Sequence, residues 1–385
     1  MFNRILKNKL PKESFFLFGP RQTGKSTLLN QLSRVFSVDL LDPEKQLAYT
    51  QHPNLLAQQI EAGPHEGLVF IDEIQRVPKL LDVIHHLVEK YPALYFAMSG
   101  SSARKLRHGA ANLLGGRALY RSLYPLTSQE IGQDFQLNQA MRYGTLPKVY
   151  SRLLNKEEER AQDLLRAYVI TYVREEIKAE ALVRNLQGFQ NFLDVAAANF
   201  AQQINYTEVA RQCAVAYATV REYYAILEDT LMGFFLRPWL KSERKRMSHS
   251  PKFYFFDNGV TRAILQALKS PPTPLEAGYL FEQWFMDEIH ALNMYEQKDW
   301  KFSFWRTSHG AEVDIIIEQG REVKMALECK FKKNLSPADL SGIHAFQQEY
   351  PDVPCYVVAD IEVPLQMRNI KALPVQQALE MLRQS

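Results

Sequence analysis

Cysteine is scarce in this 385-residue chain: Cys213, Cys329 and Cys355 lie far apart, with no CxxC pair. That spacing signals neither a disulfide framework nor a zinc cluster, and a reduced cytoplasm is its natural compartment. Long apolar runs are missing as well. None approaches the roughly 20 residues needed to span a bilayer. The first sixteen residues begin basic but lack the apolar stretch of a secretory leader. Charge of one sign is not in excess either, since 46 Lys+Arg face 43 Asp+Glu for a net charge of +3. A histone-like polycation is thereby excluded, and any affinity for nucleic acid must reside in local patches. Internal repeats and low-complexity stretches are also lacking. What remains reads as a soluble, cytoplasmic protein with no membrane partner. With 46% apolar side chains, it can build two or three cores at about 150 residues per domain.

The first third alternates short apolar runs, at 15–18, 38–41, 68–71 and 94–98, with helical patterns such as 79–90. That alternation predicts a parallel sheet covered on both faces. From about Pro125 the pattern turns helical, with a long charged periodic stretch over 153–186 and a further apolar face at 189–198. The Pro-rich segment 270–274 reads as a linker, because prolines interrupt helix and ladder alike. Beyond it, a helix over 276–292 and strands near 302–305, 313–317 and 325–329 predict a separate α/β unit. The expected domains are 1–150, 151–270 and 271–385.

The strongest motif is Gly19-Pro20-Arg21-Gln22-Thr23-Gly24-Lys25-Ser26, which satisfies G-x-x-x-x-G-K-[ST] between an apolar strand and a helical pattern at 27–33. Two glycines let successive N–H groups converge on phosphate oxygens. Lys25 is expected at the β- and γ-phosphates, Ser26 on Mg²⁺, and Thr27 within the same nucleotide-binding set. The start of the helix would add its positive end beneath the phosphates. A second apolar run ends in Asp72 and Glu73. There Asp72 is expected to hold Mg²⁺ and Glu73 to polarise the attacking water. Ser99, at the end of the next strand, is a candidate to position the γ-phosphate or the water, as is Ser101. Arg117, after a Gly-Gly pair, is a candidate to reach a neighbouring subunit's nucleotide. The expected ligands are ATP and Mg²⁺.

The runs FLFGPRQTGKST, VFIDEIQRVP, MSGSSARKL, LLGGR and YPLTSQEI, in that order, resemble the AAA+ superfamily. They are similar in particular to bacterial and archaeal ATPases whose AAA_14-type nucleotide domain precedes a C-terminal DUF4143-type domain of unknown function. YGTLPKVY resembles the motif near the end of that module, but it offers only Lys148 where a second sensor arginine would stand. The resemblance implies a homo-oligomer, a hexamer or similar ring, with composite sites.

Residues 205–227 read as helix, tight turn, helix, with Thr207 as the first cap and Val209, Ala210, Val215, Val220, Tyr224 and Leu227 as shared core. Apolar runs at 233–236 and 252–256 would complete a winged helix-turn-helix, with Lys241, Arg244, Lys245 and Arg246 at the wing tip. Such a tip contacts phosphates without reading bases. The chain continues to resemble the same ATPases through SPKFYFFDNGV.

In the last third, Glu282 lies on a helix, Asp314 on one strand, and Glu328 and Lys330 on one face of another. If the two strands adjoin, Asp314 and Glu328 can hold a divalent ion, with Glu282 completing its shell and Lys330 orienting or deprotonating the hydrolytic water. These residues in order, after Trp305-Arg306-Thr307, resemble the PD-(D/E)xK restriction-endonuclease-like fold, with Val313 where the motif has proline. The leading expectation is therefore a DNA-dependent AAA+ ATPase that remodels or translocates on DNA, in repair or defence, with a possible Mg²⁺-dependent endonuclease activity. The alternative is a nucleotide-dependent switch that binds a protein partner and uses a non-catalytic nuclease-like domain as scaffold.

Overall fold

The computed structural model describes residues 2–101, 114–173, 185–240 and 250–385. They form two compact units, one of residues 1–132 with 227–232, the other of 133–226 with 233–385. Residues 133–150, expected with the first domain, thus pack in the second unit.

The first unit is built on five parallel strands, β1 (Phe15–Phe18), β2 (Phe36–Asp39), β3 (Gly67–Asp72), β4 (Leu94–Gly100) and β5 (Leu119–Ser122). Their order is β2-β3-β4-β1-β5, all parallel. All four residues of β1 are buried, as are five of the six in β3. A strand covered on both faces needs such a continuous apolar run. Helix Leu80–Lys90 closes one face with Leu80, Leu81, Ile84 and Leu87, an i, i+1, i+4, i+7 stripe. Strand β4 separates β1 from β3, so the loop after β1 and the acids ending β3 reach each other across an intervening strand.

In the second unit the expected long helix over 153–186 is interrupted. Pro147–Leu154 and Glu158–Ala167 are distinct helices, the latter followed by a π-helical turn at Tyr168–Val173, and 174–184 lie outside the described residues. Lys156 between them adopts φ 59°, a left-handed conformation that ends a helix. Helices Leu186–Ala198, Tyr206–Cys213 and Tyr217–Asp229 follow. Asn205, rather than Thr207, caps the second of these by accepting from the Glu208 N–H. The hairpin β6 (Gly233–Pro238) and β7 (Lys252–Phe255) is antiparallel as expected. Its basic tip, with Lys241, Arg244, Lys245 and Arg246, lies outside the described residues.

This hairpin is not a free-standing wing. Strand β6 pairs in parallel with β8 (Trp300–Arg306) through Arg237 and Pro238. It thereby extends a sheet containing β9 (Glu312–Gln319), β10 (Glu322–Lys330), β11 (Cys355–Ala359), β12 (Leu365–Met367) and β13 (Ile370–Pro374), in the order β12-β13-β11-β10-β9-β8-β6-β7. Middle and C-terminal regions thus share one sheet and pack as one compact unit. Only the last residue of the Pro-rich segment is helical: Pro274 opens a 23-residue helix, Pro274–Glu296, which Thr273 and Glu276 cap with a capping box. Buried Arg262 donates to the carbonyls of Ala267 and Ser270 and pairs with Glu276, fixing this approach.

Candidate nucleotide site and carboxylate centre

The loop after β1 is shaped by two glycines. A Cβ on Gly19 would lie 2.3 Å from the Leu123 carbonyl oxygen, so no larger residue fits between the loop and the residue that follows β5. Gly24 adopts φ +96°, and a Cβ there would meet nothing within 4 Å, leaving the space over the loop open. Lys25 is 5% exposed. Its ammonium donates to the carbonyls of Gly19 at 2.8 Å and Pro20 at 2.9 Å. Thr23 donates its hydroxyl to the Pro20 carbonyl, so the loop is braced from within. The helix that follows is short, Lys25–Leu29, instead of the expected 27–33, and Ser26 and Thr27 lie in its first turn.

Asp72 ends β3, and Glu73 follows it at φ 57°. Ser99, on the intervening β4, joins them: its hydroxyl donates to the Asp72 carboxylate and accepts from the Glu73 N–H at 3.2 Å. Glu73 in turn accepts from the Gln75 amide, which also reaches the Ser101 hydroxyl. Burial raises the pKa of Glu73, opposed by the charges of Lys25 and Arg21. Those two cations of the loop therefore lie within electrostatic reach of the acid. Open space over Gly24, a cation beside it and an acid pair beyond make a donor set suited to a metal-bound triphosphate.

Two residues of this region escaped the sequence reading. Gln75 holds Glu73, and Arg4, 8% exposed, braces the loop from behind. The Arg4 guanidinium donates to Glu130 at 3.1 Å and to the carbonyls of Thr23 and Tyr124. Glu130 also closes a capping box with Thr127. That T-x-x-E spacing was readable as a helix start; its ion pair with a residue 126 positions away was not. Arg117 pairs with Glu89 at 2.7 Å and is 44% exposed along its side chain.

In the second unit, β9 and β10 adjoin as expected. Asp314 accepts from the Cys329 N–H, and Lys330 pairs with Glu328 at 2.5 Å. The unexpected member is Lys252, on β7, which is 3% exposed. Its ammonium lies 2.6 Å from Glu312, 2.9 Å from Glu282 and 3.9 Å from Asp314. Tyr254 donates its hydroxyl to the same Glu282 oxygen, and Arg306 takes the other oxygen of Glu312 at 2.9 Å. Burial opposes the charge of Lys252, but Glu282, Tyr254, Asp314 and Glu312 outweigh it and hold it protonated. Burial likewise opposes the charge of Lys330, which Glu328 and Asp314 outweigh. A lysine held charged in this way is a poor base.

Two motifs singled out in sequence, YGTLPKVY and FFDNGV, interlock. The buried Asp257 carboxylate accepts from the N–H groups of Thr145 at 2.8 Å and Val260 at 3.0 Å. Side chains on Gly144 or Gly259 would collide with Asp257 and with the Tyr143 carbonyl, respectively. Burial pushes the Asp257 carboxyl up to about 6 against these hydrogen bonds.

Residues 11–132 match the family described as AAA domain (AAA_14). Residues 134–270 and 277–378 match two domains of unknown function, DUF8612 and DUF4143. Uncharacterized proteins of Mycobacterium bovis and Mycobacterium tuberculosis are each 28% identical over 309 residues, covering 78% of this chain and 67% of theirs. Among solved structures, a Walker-type ATPase of Pyrococcus abyssi is similar at a TM-score of 0.43 with 13% identity, over 65% of this chain and 90% of that one. A replication initiator, DnaA, bound to AMPPCP and single-stranded DNA, is similar at 0.29 with 11% identity, over 69% and 91%. The chain thus carries an AAA-type ATPase-like domain at residues 11–132, followed by two domains matching families of unknown function.

Proposed function

We propose that the first unit binds ATP in the Gly19–Ser26 loop and hydrolyses it. The observation that carries this reading is the meeting of the loop cation Lys25 with the acid pair Asp72–Glu73, joined through Ser99. Ser26 and Asp72 would hold Mg²⁺, which neutralises charge on the phosphates. Lys25 exchanges its bonds to the Gly19 and Pro20 carbonyls for phosphate oxygens. Backbone N–H groups from Arg21 to Thr27 line the same cradle, with the Arg21 side chain nearby, while Pro20, which has no N–H, shapes the loop. Glu73, oriented by Gln75 and with its pKa raised by burial, orients and deprotonates the attacking water. Ser99 keeps Asp72 and Glu73 in register. In an assembly of several copies, Arg117 would exchange Glu89 for a neighbour's phosphates. ATPase assays of wild type, Lys25→Ala and Glu73→Gln test the assignment; normal turnover in Lys25→Ala would overturn it.

The substrate on which this turnover acts is proposed to be DNA, in a cytoplasmic protein. Support comes from the two helices Tyr206–Cys213 and Tyr217–Asp229, joined through Ala214 at φ 52° and followed by a hairpin. Stimulation of ATP hydrolysis by duplex, single-stranded or forked DNA is the decisive measurement. A second reading, a nucleotide-dependent switch for a protein partner, is favoured by one feature of those helices. Arg211 is neutralised by Glu208 at 2.6 Å, and Arg221 stands against Glu222, Glu228 and Asp229, so the helix pair carries no excess positive charge. Absence of stimulation by every DNA form, together with slow turnover, would favour the switch.

A further inference from the structure

A restriction-endonuclease-like centre implies a divalent ion held by Asp314 and Glu328, with Glu282 beside them. The side chains present do not fit that ion. Glu282 is occupied: one oxygen receives both the Lys252 ammonium and the Tyr254 hydroxyl. One oxygen of Asp314 accepts the Cys329 N–H, and the other faces Lys252 at 3.9 Å. An ion bridging Glu282 and Asp314 would contend with an ammonium group already placed between them. Of the three carboxylates, only Glu328 has an oxygen, Oε2, that is buried without a hydrogen-bond partner; a divalent ion that keeps most of its waters still needs one or two carboxylates not already holding a cation. Among the described residues, no group of three or more His, Cys, Asp or Glu is arranged to hold a metal.

We infer that Lys252 is the resident cation of this centre. Its ammonium stands in for the divalent ion, leaving a metal-independent junction that fastens β7, the Pro274–Glu296 helix and β9 together. The charges support this substitution. Lys252 is 4% exposed along its side chain, and an ammonium removed from water to that degree demands several partners. It has three, from two elements: Glu282 on the helix, and Glu312 and Asp314 on β9. An ion of charge +2 placed beside the same carboxylates would be repelled by Lys252, while Lys330 already holds Glu328. Hydrolysis of a phosphodiester here would also lack a ready base, since Lys330 is committed to Glu328. The inference is independent of the nucleotide reading, because it concerns only residues of the second unit, and DNA binding without cleavage is compatible with it.

Mn²⁺ binding to the nucleotide-free full-length chain, followed by electron paramagnetic resonance, tests this directly. Wild type and Asp314→Asn are expected to bind Mn²⁺ identically. Lys252→Met is expected to gain at least about tenfold tighter binding, lost again when Asp314→Asn is added. Wild type is also expected to leave plasmid and forked DNA intact with Mg²⁺ or Mn²⁺. Mn²⁺ binding or metal-dependent cleavage by wild type that disappears in Asp314→Asn would overturn the inference, as would a folded Lys252→Met that gains nothing. If Lys252→Met does not fold, the comparison of wild type with Asp314→Asn still decides.

Discussion

Lys25 and Glu73 carry separable parts of the proposed chemistry, and their variants should differ in kind. Lys25→Ala removes the cation nearest the phosphates and should lower ATP turnover by at least about 100-fold, the scale of losing one preorganised charge-stabilising donor. Glu73→Gln keeps the shape and the Ser99 contact, so fluorescent-nucleotide affinity should persist within a few-fold while steady-state hydrolysis collapses. Arg4 should act on stability instead. Its guanidinium and Glu130 are both buried, and truncation leaves a buried carboxylate without its partner. Arg4→Ala is therefore expected to cost about 3–5 kcal/mol in urea denaturation.

His290 gives the residue scale a pH dependence. Its ring lies against Phe234 and Phe302, with centroids 4.2 and 4.7 Å away, and its Nε2 is buried without a partner. Burial lowers its pKa to about 4. Unfolded, it titrates near 6.5 and binds its proton first as the pH falls. The contribution is therefore fully present above about pH 6.5 and is lost progressively toward pH 4, by up to about 3 kcal/mol. His290→Phe, which retains the ring contacts, should flatten the difference in stability between pH 7 and pH 4.5. Denaturation of both proteins at the two pH values gives the comparison, and an unchanged slope would contradict the assignment.

Among elements, the junction of the helix Asn258–Ile264 with the turn at Gly144–Thr145 depends on one carboxylate. Asp257 caps that helix and accepts from the turn's backbone at once. Asp257→Ala leaves several buried N–H groups without an acceptor, at about 1–3 kcal/mol each before relaxation. A loss of about 2–4 kcal/mol is expected, without any change in nucleotide affinity, because the affected residues all belong to the second unit. The β6–β7 hairpin shows a related effect of context. Its two apolar runs pointed to a hairpin, but only the edge of β8 specified where β6 would pair. Edge strands present unpaired N–H and C=O groups, and the parallel pairing at Arg237 and Pro238 uses that edge.

For the whole molecule, binding and turnover are the observables. ATP analogues at 100 times their dissociation constant should stabilise the chain by about 2.7 kcal/mol, and Lys25→Ala should reduce that gain. DNA should raise ATP hydrolysis if the second unit presents it to the motor, and leave it unchanged if a protein partner is the target. No described helix is long and apolar enough to cross a membrane.

Local pattern determined the strands of the first unit, the G-x-x-x-x-G-K-S loop and the acids at the end of β3, because apolar periodicity and glycine geometry act over a few residues. The strands near 313–317 and 325–329 were legible for the same reason, but their pairing, which brings Asp314 to the Glu328 strand, was only a condition that the fold then met. Other features depended on residues far apart in sequence: the bond from Ser99 to Asp72, the brace from Arg4 to Glu130, and the meeting of Asp257 with Thr145. Lys252 is the sharpest case. Within KFYFF it is one cation at the start of an apolar strand, and nothing nearby says that its ammonium ends among Glu282, Glu312 and Asp314. Only folding brings those carboxylates to it, because the free energy that keeps a buried charge in place comes from partners 30 to 62 positions away.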